Sequence, residues 1–280
     1  MATLRMALAR AQGSVSHSSG RLTRSALLLG LCGLVACGGG GAGDARTAGT
    51  QTAVALEAPV WLNTGVRVMA LGDSITEGWP SSYGGYRYEL YRRFIALNLP
   101  VDFVGGLTNT SNGLPDPAHE GHGGWTSYEL RDGRRSDPAA GNVTQWIASA
   151  RPDVILLLAG TNDVYTTIND GTIAADLLAL VDRVRASAPQ AELFVGTTLP
   201  LRESAANARI DRFTPTVRQG ISTRMQTDEH LHLVDTHAAV SVADLAPDGV
   251  HVDPQGDGNA RLADAWLSAI LPTLQRLNAK

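Results

Sequence analysis

Three short segments of the chain carry residue types that together could run nucleophilic acyl transfer. The first is Gly72-Asp73-Ser74-Ile75-Thr76-Glu77-Gly78, a serine at a strand-to-helix turn with its hydroxyl exposed and its own N–H free to donate. The second is Ala159-Gly160-Thr161-Asn162-Asp163, in which Asn162 can present a side-chain amide. The third is Asp248-Gly249-Val250-His251, which offers a base and a carboxylate from one short loop. A nucleophilic serine needs a base within hydrogen-bond reach, a group that fixes the base, and donors for the oxyanion that develops on the substrate. Taken singly, each segment has a plainer reading: Ser74, Asp73, Asn162 and Asp163 are all good helix caps, and His251 could be a lone surface histidine. Taken together, they complete one mechanism.

Alternating patterns predict the elements that must position these loops. Val66–Leu71, Val101–Val104, Val154–Leu158, Leu193–Thr197 and Leu231–Val234 read as five strands. The near-continuous apolar run Val154–Leu158 is what a strand covered on both faces requires. Helical spacing covers Tyr86–Leu97 (closed by Asn98 and Pro100), Ile173–Ala188, Phe213–Met225 and Gly258–Leu277, the last with Leu262, Trp266, Ile270 and Leu274 on one stripe. Strands that alternate with helices imply right-handed crossovers and a mainly parallel sheet with helices on both faces. In such sheets ligands sit beyond the carboxyl ends of the strands, where the three segments are expected to fall.

With these segments in this order, the chain resembles the GDSL or SGNH hydrolases. Gly72-Asp73-Ser74 matches the family's first block, with Ile75 where the family name has leucine; Gly160-Thr161-Asn162-Asp163 matches the third and Asp248-Gly249-Val250-His251 the fifth. The resemblance covers about residues 66–277, and the lipase-type Gly-x-Ser-x-Gly elbow is absent. It implies an α/β fold: a three-layer α/β/α sandwich with a mainly parallel five-stranded sheet, flavodoxin-like. It further implies a serine esterase with Ser74 as nucleophile, His251 as base and Asp248 as its orienting carboxylate. The implied oxyanion hole is made by the N–H of Ser74, a glycine N–H and the Asn162 amide. In His119-Glu120-Gly121-His122-Gly123-Gly124-Trp125-Thr126, the family's usual Gly-x-Ser-Gly-x-Thr aligns Gly124 with that glycine, and Gly123 is the neighbour one residue away. No metal or organic cofactor is implied.

Gly85-Tyr86-Arg87-Tyr88, Val101-Asp102-Phe103-Val104-Gly105 and His119-Glu120-Gly121-His122 look like the acetylxylan esterase branch, whose members deacetylate plant polysaccharides. The expected substrate is therefore an acetylated polysaccharide or oligosaccharide. The alternatives are a lysophospholipase- or thioesterase-like lipid hydrolase and a non-catalytic glycan-binding surface lipoprotein. Trp79, Tyr83 and Trp125 flank the site, and the faces of Trp79 and Trp125 could stack on sugar rings. His119 and His122 stand three apart in a glycine-rich loop, not four apart as in His-Glu-x-x-His, and are read as structural. His230 and His232, beside a strand, are read the same way.

Composition bounds the rest. The 280 residues are 44% apolar and 18% charged, enough to bury a sizeable core, and the formal charge of −4 argues against a nucleic-acid partner. Two cysteines exclude a disulfide-dense scaffold and a four-thiolate zinc site. Both lie near the start, and Arg21 and Arg24 precede an uncharged run from Ala26 to Ala36, too short to span a bilayer, which takes about 20 residues. It has the flanks of a secretory signal. Leu34-Val35-Ala36-Cys37 resembles a bacterial lipobox, which implies cleavage before Cys37, its lipidation, and anchoring of an exported protein in the cell envelope. The expected organisation is a signal peptide at 1–36, a Gly/Ala/Thr-rich tether at 37–60 and a catalytic domain at 61–280. Loss of residues 1–36 would remove four arginines and no acid, leaving 19 basic against 27 acidic side chains, or −8.

Overall fold

A computed structural model describes residues 64–279 except 82, 109–113 and 168. The signal sequence, Cys37, the tether and the start expected for the domain at 61 lie outside the described residues. In chain order the described elements are β1 (Val66–Gly72), α1 (Ser74–Glu77), α2 (Tyr86–Ala96), β2 (Val101–Phe103), β3 (Leu107–Thr108), β4 (Ala118–Gly121), α3 (Ser127–Asp132), α4 (Val143–Ala150) and β5 (Val154–Leu158). They continue with α5 (Asp163–Thr166), α6 (Asp170–Ser187), β6 (Glu192–Gly196), α7 (Ser204–Met225), β7 (Leu231–Val234), α8 (Thr236–Ala239) and α9 (Gly258–Asn278).

The five expected strands are β1, β2, β5, β6 and β7, and all their pairings are parallel. β5 lies along one edge of β1 from Val68 to Gly72. The other edge is shared by β2, against Val66–Val68, and β4, against Leu71 and Gly72. The main strands therefore run β2-β1-β5-β6-β7, the flavodoxin-like order with its reversal between β1 and β5. Among the described residues the sheet has seven strands, not five: β3 and β4 form a short antiparallel pair, and β4 continues the sheet beside β1. These two strands are two and four residues long, too short for an alternating pattern to register. Alternation along the longer strands builds two cores. Met69, Leu71, Ile155, Leu157, Leu193 and Val195 pack toward α3, α4, α6 and α7. Val68, Leu156, Leu158 and Phe194 pack toward α2 and α9, where Tyr86, Leu90, Phe94, Leu262 and Trp266 are fully buried. The result is the three-layer α/β/α sandwich. Helix α7 begins at Ser204, well before Phe213, because Ala206 and Ile210 extend its buried stripe of Phe213, Val217 and Ile221. Among the described residues no helix is long and apolar enough to cross a membrane.

Candidate active site

The site forms at the carboxyl ends of β1 and β5, where the strand order reverses. Gly72 ends β1 so close to β5 that a Cβ on it would fall 2.0 Å from the Leu158 carbonyl oxygen, so only glycine lets the two strand ends converge. The turn after it is capped by Asp73, whose Oδ1 accepts from the Ile75 N–H at 3.0 Å. Because Asp73 is the cap, the Ser74 hydroxyl is left for another partner. That partner is His251: its Nε2 lies 2.7 Å from Ser74 Oγ. Its Nδ1 lies 2.7 Å from Asp248 Oδ2, which completes a chain of hydrogen bonds from one short loop to a serine 177 residues away in sequence.

The loop that supplies His251 and Asp248 is rigidly built. Asp248 Oδ1 accepts from the N–H groups of Val250 and His251, at 2.9 and 3.1 Å. Arg202 donates its N–H to the Gly249 carbonyl and its guanidinium to the carbonyls of Pro247 and Leu245. Burial pushes the Asp248 carboxyl up, but the hydrogen bonds from Val250 N–H and from the His251 ring and N–H outweigh it and hold the group below the ordinary carboxylate value. A carboxylate that stays ionised can keep imidazole Nδ1 as the donor and Nε2 as the acceptor.

Opposite Ser74 runs the loop after β4. Its start is held by the His122 N–H on the Gly72 carbonyl at 2.8 Å. Gly123 borders the serine: a Cβ there would lie 3.8 Å from Ser74 Cβ and 2.5 Å from Glu77 Oε2. Gly124 has φ +76°, the left-handed region that favours glycine. Asn162 does not cap the helix it precedes; its Nδ2 donates to the Trp125 carbonyl at 2.9 Å, which uses one amide hydrogen and leaves the other. Asp163 ties the two loops together by accepting from the N–H and the hydroxyl of Ser127, at 2.9 and 3.1 Å. Thus Ser74, Asn162, His251 and Asp248 come together with the Gly123–Gly124 segment in one place, and the arrangement can deprotonate a serine and offer N–H donors beside it.

Trp125 is corrected. It is only 5% exposed, set against His122 and Trp146 with ring centroids 4.7 and 5.8 Å away, and covered by the Arg134 guanidinium at 5.0 Å. Its indole is core, so it has no free face for a sugar; its carbonyl is what reaches the site. Trp79 is 61% exposed, and its N–H donates to the Ser74 carbonyl at 3.0 Å, so the indole leaves the chain beside the nucleophile turn. His119 is buried, with Nδ1 accepting from the Gly121 N–H at 3.0 Å, and burial followed by the charge of Arg87 lowers it to about 3. His122 stacks on Trp146 at 4.0 Å and bonds Glu120 at 2.8 Å. His230 and His232 both face Glu192 at the start of β6, the far end of the sheet from Ser74. Among the described residues no group of three potential ligands is arranged to hold a metal ion.

Two carboxyls under the site are forced toward the neutral form. Burial raises Asp73 to about 7, against the lowering effect of the Ile75 N–H, and its Oδ2 has no hydrogen-bond partner among the described residues. Burial likewise raises Asp163 to about 6, and on the far side of β2 it raises Asp116 to about 7. Such groups hold protons in the folded chain that the unfolded chain releases above pH 3.8. The stability these groups contribute therefore falls as pH rises from about 4 through 7. Asp73→Asn fixes the neutral shape: its Tm should match that of the wild type below about pH 4, where both side chains are uncharged, and exceed it at pH 8 by about 3 °C or more. Parallel Tm curves against pH for the two proteins would contradict the burial argument.

A family model described as the GDSL-like Lipase/Acylhydrolase family matches residues 70–258, a span that runs from the nucleophile turn past the His251 loop. The chain belongs to that family. Among solved structures, this GDSL-like hydrolase is similar to a family 3 carbohydrate esterase of Clostridium thermocellum, with 28% identity and a TM-score of 0.63 over 76% of this chain and 99% of that one. A carbohydrate esterase family 3 structure from Talaromyces cellulolyticus gives 26% identity and a TM-score of 0.62 over 75% of this chain and 99% of that one. A multidomain esterase of Ruminococcus flavefaciens is 28% identical over an alignment of 228 residues that covers 73% of this chain and only 28% of that protein.

Proposed function

We propose that this GDSL-like hydrolase is a carbohydrate O-acetylesterase that works through an acyl-enzyme on Ser74. The observation that carries the reading is the unbroken Ser74–His251–Asp248 chain, with both links at 2.7 Å, beside the Asn162 amide and the Gly124 loop. Ser74 Oγ attacks the ester carbonyl carbon as its proton passes to His251 Nε2. The oxyanion is received by the N–H groups of Ser74 and Gly124 and by the second hydrogen of the Asn162 amide. His251 then returns the proton to the departing sugar oxygen, and the C–O bond breaks to leave acetyl-Ser74. A water molecule gives a proton to His251 and attacks the acetyl carbon, and the proton goes back to Ser74 as acetate leaves. Asp248 stays ionised throughout and stabilises the imidazolium.

Similarity to the two carbohydrate esterases over nearly their whole length supports carbohydrate as the alcohol side. Trp79 is the platform we assign to it, through stacking of its exposed face on a sugar ring. The domain at 61–280 is taken as the catalytic unit. The lipobox-like Leu34-Val35-Ala36-Cys37 supports export and a lipid anchor on Cys37, so that the tether would hold the enzyme at the cell envelope; Cys37→Ser should then move the protein from the membrane to the soluble fraction.

The test of substrate class is a panel on the chain lacking residues 1–58. Acetylated xylan and p-nitrophenyl acetate should be hydrolysed and lysophospholipid should not. Turnover of lysophospholipid alone would replace this reading with a lipid hydrolase, and no ester turnover would leave a glycan-binding protein. Within the panel, Trp79→Ala should raise KM for acetylated xylan by about tenfold, as a lost stacking contact of about 1 kcal/mol or more would do, and leave p-nitrophenyl acetate unaffected. Equal KM values on the polysaccharide would remove Trp79 from the site.

A further inference from the structure

Arg134 lies just beyond α3 and outside the reacting groups, yet its guanidinium holds the loop opposite Ser74 at several points. Nε and Nη2 donate to Oε1 and Oε2 of Glu129, each at 2.9 Å, and Nη2 also donates to the Gly124 carbonyl. Its plane covers the Trp125 ring at 5.0 Å. Glu129 in turn accepts from the Thr126 N–H at 3.0 Å as part of the capping box that starts α3. A closed ring therefore runs from the Gly124 carbonyl through Arg134 and Glu129 to the Thr126 N–H. It fixes the peptide between Gly124 and Trp125 by its carbonyl and the peptide between Trp125 and Thr126 by its N–H. The carbonyl of that second peptide is the one Asn162 Nδ2 bonds at 2.9 Å.

Gly124, a glycine at φ +76°, has no side chain to restrict it; besides this ring, its peptide with Trp125 is held by the Trp125 N–H on the His122 carbonyl at 3.2 Å, so the ring supplies the hold on the carbonyl side. The pair itself is a weak stabiliser of the fold: the Arg134 and Glu129 side chains are 25% and 26% exposed, a setting in which an ion pair contributes little. Its value is in geometry. Carboxylate fork, carbonyl and indole face are met at once by a planar guanidinium, and an ammonium cannot reproduce that.

We propose that Arg134 is a positioning residue: held by Glu129, it keeps the Gly124–Thr126 loop, and through the Trp125 carbonyl the Asn162 amide, in the geometry that receives the oxyanion. This rests on the reading of Gly124 and Asn162 as oxyanion donors. The experiment uses the full chain with Arg134→Gln and Arg134→Lys, each alone and combined with Asn162→Ala, assayed on p-nitrophenyl acetate. A misplaced catalytic group costs up to about 10²-fold, so kcat should fall about 10- to 100-fold in both single variants, with KM within about twofold and Tm within a few degrees of the wild type. The loss on adding Asn162→Ala should be clearly smaller in the Arg134→Gln background than in the wild type, since residues that act through one device are not additive. Turnover of Arg134→Gln within about twofold of the wild type would overturn the proposal, and so would fully independent losses in the double variant. If Asn162→Ala alone keeps wild-type turnover, the oxyanion reading itself fails; if Asn162→Ala loses turnover and Arg134→Gln does not, only the role of Arg134 falls.

Discussion

Ser74→Ala is expected to lower kcat on p-nitrophenyl acetate by about 10⁴–10⁶-fold with the fold intact. The size follows from what the change removes. Oγ is the atom 2.7 Å from His251 Nε2, and without it the base has nothing to activate but water. What survives is the contribution of the oxyanion donors and of binding, which in serine hydrolases remains about 10³–10⁴-fold over water. Folding should be spared because the turn is capped by Asp73 and closed by the Gly78 N–H on the Ser74 carbonyl, neither of which needs the serine hydroxyl. Steady-state kinetics and a thermal melt on the same preparation check both halves. A kcat within about tenfold of the wild type would mean that another group attacks the ester.

Asn162→Ala is expected to lower kcat by about 10²–10³-fold, the loss typical of one oxyanion donor, with KM nearly unchanged because the charge it meets exists only in the transition state. The residue invites a structural objection, since its amide also holds the Trp125 carbonyl. Losing that bond costs roughly 1 kcal/mol of stability, far less than the activity at stake. Asn162→Asp separates the roles further: it keeps the shape but removes the donors and sets a negative charge against the oxyanion, so it should be no better than alanine. Turnover within about threefold of the wild type for either variant would take Asn162 out of the mechanism.

The sequence made the triad segments legible because each is local: Gly72-Asp73-Ser74 is one turn after one strand, and Asp248 and His251 share one short loop, with spacing that survives without a neighbour. Val154–Leu158 was readable as β5 for a similar reason, as both of its faces are covered. The segment between β2 and β5 was not readable. β3 and β4 owe their pairing to partners elsewhere in the sheet, and Glu120 secures them by accepting from the Gly106 N–H at 2.6 Å, a contact that no periodicity reports. The start of α3 did leave a trace, since Thr126 and Glu129 stand at capping-box spacing. Trp125 shows the limit most plainly. An aromatic beside a glycine-rich loop can face solvent or the core, and only the positions of Trp146, His122 and Arg134 decide for the core. Arg134 itself carried no signal, for its meaning depends on the φ of Gly124 and the cap at Glu129.

The central claim is that one serine carries the acyl group. A fluorophosphonate should react with the wild-type chain once, and peptide mapping by mass spectrometry should place the adduct on Ser74, with no labelling of Ser74→Ala. An adduct on any other residue, or undiminished labelling of Ser74→Ala, would contradict the account.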